Sequence, residues 1–119
     1  MNLEDIEKHL REAVKKIEEV GTIYADARAL SWLLQEQKKV VLATEMSKSQ
    51  AKTSAEKERE ALTSETYRLH LEGCKEAIGQ EHRLRAEYDR WISQTEALRS
   101  FLSLEKHKMT VERSLTDFA

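Results

Sequence analysis

LEDIEKHLREAVKKIEEVGTIYADA, residues 3–27, is the stretch that decides the fold. Its apolar side chains fall at Leu3, Ile6, Leu10, Ala13, Ile17, Val20, Tyr24 and Ala27, an unbroken three-four spacing. Only a helix brings such positions onto one stripe, and a stripe this regular is the seam of a coiled coil. Asn2 precedes the first turn and Asp5 follows three residues later, so a side-chain oxygen can cap free N–H groups while acids meet the positive helix end. Glu4 with Lys8, Glu7 with Arg11 and Glu12 with Lys16 place an acid four residues before a base, the pattern of a solvated helix face. Gly21 costs roughly 1 kcal/mol relative to Ala in a helix interior. The register nevertheless passes from Val20 to Tyr24 without a slip, so the helix is expected to continue through it.

Beyond this stretch Leu30, Leu33, Leu34, Val40 and Val41 carry apolar character onward with Trp32 beside them, giving a first long helix over 2–46. From Thr44 to Ser64 the sequence TEMSKSQAKTSAEKEREALTS is nearly devoid of large apolar groups. It reads as a connector, 47–63, holding a short helix from Ala55 to Leu62, with Thr53 and Glu56 at capping-box spacing. A second long helix, 64–112, has its seam through Tyr67, Cys74, Ala77, Leu84, Tyr88, Trp91, Leu98, Leu102 and Met109, followed by a short tail at 113–119. Leu71, Ile78 and Ile92 flank that seam and Glu81, Thr95 and Glu105 fall on it, which broadens the stripe beyond two positions per heptad.

The expectation is a single all-α domain, 1–119: two long amphipathic helices in an antiparallel helical hairpin with a short connector helix. Each long helix spans about 70 Å. A two-helix hairpin covers one stripe per helix and leaves the extra apolar residues wet, so a homodimer forming a four-helix bundle is predicted, with a monomeric three-helix bundle as the rival. Tyr88, Trp91, Ile92, Leu98 and Leu102 are the expected interface.

Composition narrows the function. Charged residues make up 35% of the 119, prolines are absent and there are three glycines, which suits long helices and starves a sheet of turns. A net charge of −2 from 20 basic and 22 acidic side chains provides no global field to attract a polyanion. Lys38, Lys39, Lys48, Lys52 and Lys57, in and before the connector, are the candidates for weak, salt-sensitive contact with nucleic-acid phosphates. One cysteine, Cys74, forms no disulfide within the chain and fits a reducing compartment. The acidic start, Met1-Asn2-Leu3-Glu4-Asp5, is unlike a secretion signal and no apolar run approaches ~20 residues, so a cytoplasmic protein without a membrane span is expected.

Catalysis needs a nucleophile beside a base, or carboxylates held off solvent, and neither is present. His70 and Cys74 lie one turn apart and could face one cation, but no second Cys/His cluster completes a zinc site. The three glycines form no phosphate loop. No catalytic residue, metal or cofactor is expected; Glu81 and Glu105 are expected to pair with an arginine of a neighbouring helix or to mark the core's edge.

AEKEREALTSETYRLHLEGCKEA (55–77), with LRAEYDRWISQTEALRSFLSLEKHKM (84–109), resembles a loose group of small helical proteins of bacteriophages and prophages, encoded near recombination and replication genes. The residues that carry the likeness are Glu58-Arg59, Ala61-Leu62, Tyr67, Leu69 to Leu71, Leu84-Arg85 and Leu98-Arg99-Ser100. Where that group places a Trp before the late Arg-Ser pair, this chain has Leu98, with Trp91 one heptad earlier. The resemblance implies a non-enzymatic accessory that modulates a phage DNA recombination or replication complex through protein contacts. Direct DNA binding through the connector lysines is the alternative, and an inhibitor of a host defence or repair enzyme is another, although here acids are interleaved with bases.

Overall fold

A computed structural model describes residues 1–118, Phe118 by its backbone alone. It holds three helices, α1 (Leu3–Lys48), α2 (Ser54–Leu62) and α3 (Glu65–Phe118), and no strand among the described residues. The first begins as its sequence directs: Asp5 N–H donates to Asn2 Oδ1 at 2.8 Å and Ile6 N–H to the Asn2 carbonyl at 3.0 Å. It runs unbroken through Gly21, which keeps a negative φ.

The connector is held by local polar contacts. Ser49 Oγ accepts from Ala51 N–H at 3.1 Å and donates to the Glu60 carboxylate. Thr53, in extended backbone, caps α2 by accepting from Glu56 N–H at 3.2 Å. After Leu62 the chain turns at Thr63 and restarts at once, Ser64 Oγ accepting from Tyr67 N–H at 3.2 Å.

The third helix continues past the expected stop near 112, through the segment read as a tail, to Phe118; Ala119 of that tail lies outside the described residues. The reason is local. Thr110 to Phe118 contain no glycine or proline, Thr116 Oγ1 bonds back to the Glu112 carbonyl at 2.9 Å, and nothing breaks the hydrogen-bond ladder where the seam ends.

Two compact units divide the chain. One joins Met1–Thr22 to the chain from Arg85 onward. Its core is Ile6, Ala13 and Val20 against Thr95 and Leu98. Along it, rising numbers on α1 meet falling numbers on α3: Leu3 lies with Met109 and Arg113, Ile6 with Phe101 and Leu104, Ile17 with Ile92 and Thr95, Gly21 with Tyr88. The other unit is Ile23–Leu84, with Ser31, Ala61, Tyr67, Cys74, Ala77 and Leu84 buried. Here His70 Nε2 lies 2.8 Å from the Leu34 carbonyl, and the Cys74 thiol donates to the same oxygen at 3.4 Å.

The seam of α1 differs from expectation between Arg28 and Leu42. Leu30, Leu33 and Val40 are exposed, whereas Ser31 is fully buried and Leu34 half-buried. Heptad register explains the exchange: counting from Val20, Tyr24 and Ala27 puts Ser31 and Leu34 on the seam and turns Leu30 and Leu33 away from it. Ser31 tolerates this position because it is small and its Oγ accepts from Gln35 Nε2 at 3.0 Å.

Candidate functional site

The five residues expected to meet a second molecule lie along the inner stripe of α3. Leu98 is 7% exposed, a core residue of its own unit. Tyr88, Trp91, Ile92 and Leu102 are half-buried. The Tyr88 ring rests on α1 at Gly21, where an added Cβ would lie 3.2 Å from Cε2, so the glycine makes room for the aromatic. Trp91 stands beside Arg90, whose guanidinium is 5.8 Å from the ring centroid, and its Nε1 is buried with no hydrogen-bond partner among the described residues. Ile92 shares a shallow hollow with Val14, Ile17 and Arg99.

Of the connector lysines, Lys38, Lys39, Lys48 and Lys52 are exposed and Lys57 is half-buried. Lys48 is paired with Glu45 at 3.0 Å, whereas the other four make no ion pair among the described residues. The chemistry-bearing groups do not assemble. His70 and Cys74 share the Leu34 carbonyl rather than facing a common open position, and among the described residues no group of three or more His, Cys, Asp or Glu is placed to hold a metal. Glu105 pairs at 3.4 Å with Lys108 of its own helix, not with a neighbour's arginine, and half-buried Glu81 makes no ion pair among the described residues. Among the described residues no helix is long and apolar enough to cross a membrane.

What the chain does present is apolar surface in ordered rows. On α1, Ile23, Leu30, Leu33 and Val40 are 46–64% exposed and recur at intervals of seven, three and seven, with Asp26 and Gln37 completing the heptads. On α3, Phe101, Leu104, Val111 and Leu115 recur in the same manner around Lys108, and all four are exposed. Isolated exposed leucines are ordinary, but rows of them at heptad spacing form a second apolar stripe. The spacing is present in the sequence, where Leu30, Leu33 and Val40 compete with Leu34 and Val41 for the first seam. Comparison of the chain with known protein families, with curated proteins and with solved structures finds no match.

Proposed function

We propose that the chain is a non-enzymatic helical interaction protein: an antiparallel hairpin of α1 and α3 that pairs with a second copy and docks a protein partner. The carrying observation is the pair of exposed apolar rows at heptad spacing, the α1 row turned away from the seam and the α3 row bordering it through Phe101 and Leu104 beside Ile6. Support for the hairpin comes from the opposed numbering of facing residues in the first unit and from Leu34 facing His70 and Cys74 in the second. The setting is the one implied by the resemblance over 55–109, a phage DNA recombination or replication complex.

The α3 row is the docking surface for that partner, an amphipathic helix being the element that fits such a stripe. The chain and its Val111→Glu/Leu115→Glu variant, used as baits in extract of the natural host, test this. A DNA-processing protein retained by the native chain and lost by the variant is the expected result. Equal recovery on both baits overturns the role of the row, and both side chains are exposed enough that the variant keeps its fold.

A second reading, direct DNA contact, is favoured by Lys38, Lys39, Lys52 and Lys57, which make no ion pair among the described residues. Fluorescence anisotropy with labelled single- and double-stranded oligonucleotides separates the two. Binding that falls steeply with salt supports it, and no binding at low salt removes it.

A further inference from the structure

The two exposed rows differ in what a two-fold contact would bring together. Read from Ile23 to Val40, the α1 row runs Ile23, Asp26, Leu30, Leu33, Gln37, Val40: apolar, polar, apolar, apolar, polar, apolar. The order is the same in reverse, with its centre between Leu30 and Leu33. A two-fold contact between identical chains requires such self-complementarity, because residue i meets j while j meets i. The α3 row is centred on Lys108 instead, so a two-fold contact there sets Lys108 against Lys108, a like-charge pair.

We infer that the α1 row is the self-association face, and that its occupant is the same row of a second copy laid antiparallel, Leu30 meeting Leu33 of the other chain. In that register Ile23 meets Val40, and Asp26 meets Gln37, whose amide donates to the carboxylate. This rests on the reading of the chain as a dimeric interaction protein and names the surface and direction of the contact. Asp26 and Gln37 are exposed and make no hydrogen bond or ion pair within the chain among the described residues, so both are available for this pairing. A parallel arrangement instead sets Asp26 against Asp26, a like-charge pair in the interface.

The row covers about five helical turns. Stable complexes bury roughly 800 Å² per partner, more than one narrow stripe supplies, so the dimer is expected to be concentration-dependent. Sedimentation velocity on the full chain, from low to high micromolar, should show monomer passing to dimer. Leu30→Glu/Leu33→Glu should remain monomeric with unchanged helicity by circular dichroism, since both side chains are exposed. Gln37→Lys tests the direction: it sets a cation against each Asp26 in the antiparallel register and should tighten dissociation about fivefold, two surface pairs being formed. In a parallel pair it brings lysines together and loosens the dimer.

A native chain that stays monomeric throughout overturns this inference and the dimeric part of the proposed function together. A dimer that survives in the double glutamate variant leaves that function standing and overturns the α1 face. Loosening by Gln37→Lys overturns the antiparallel register alone.

Discussion

Residues 3–20 and 23–40 of α1 are equal lengths of one helix, and the second carries more apolar side chains than the first. Their use of those side chains is opposite. In the first, Ile6, Ala13 and Val20 are buried and Leu3, Leu10 and Ile17 half-buried, so the apolar residues are the core. In the second the one fully buried residue is Ser31, while Ile23, Leu30, Leu33 and Val40 point outward. Apolar content therefore does not locate the core of a long helix. The register does, because Ser31 and Leu34 continue the three-four count of Val20, Tyr24 and Ala27 whatever residues occupy those positions.

The contrast is broken most directly by truncating one side chain from each stretch. Ile6→Ala removes a fully buried side chain and should cost about 2–5 kcal/mol in urea denaturation. Leu30→Ala, measured where the chain is monomeric, should stay within about 0.5 kcal/mol of the parent. Equal losses at the two positions would mean that Leu30 is packed after all. A smaller effect sharpens the same point from the seam's side. Ser31→Leu inserts a large side chain where none of the surface is open and should cost about 1–3 kcal/mol. Ser31→Ala should change stability by less than about 1 kcal/mol, since better helix propensity offsets the lost Gln35 contact and the exposed Gln35 amide can turn to water. Side-chain size at 31, not polarity, should therefore set the cost.

Local signals in the sequence were legible and the long-range consequences of register were not. The Asn2 cap, the Thr53 cap and the restart at Ser64 follow from side-chain oxygens three residues ahead of an N–H, and each forms as its spacing requires. The seam of α3 was also readable, down to Thr95 buried on it and Glu81 and Glu105 half-buried there. Between Arg28 and Leu42 several leucines compete for the seam, and only the count carried from Val20 decides among them. The exposed α1 row is hidden from a reading of composition for the same reason. Large aromatics look surplus to a two-helix contact until the opposing residue is known. Gly21, 67 residues before Tyr88 in the chain, supplies the space for one of them.

Gly21 and Gly73 extend the comparison to its smallest expected effect, because both sit in helix interiors with no positive φ and differ only in what faces them. A Cβ at Gly73 meets nothing within 4 Å, whereas at Gly21 it meets Tyr88 Cε2 at 3.2 Å. Gly73→Ala should therefore stabilise the chain by the full propensity difference, about 1 kcal/mol, with no opposing contact. Gly21→Ala gains the same propensity but pushes on the Tyr88 ring, so its urea midpoint should fall at or below that of the parent chain. The ring is the cause in this argument, and removing it isolates the cause: in a Tyr88→Ala background, Gly21→Ala should recover the gain of about 1 kcal/mol seen at Gly73. If Gly21→Ala stabilises the native chain as much as Gly73→Ala does, the aromatic is not seated on α1 there, and the half-burial of Tyr88 needs another source. If the gain appears only when the ring is gone, a glycine that costs helix propensity is held in α1 by the packing of a side chain on α3.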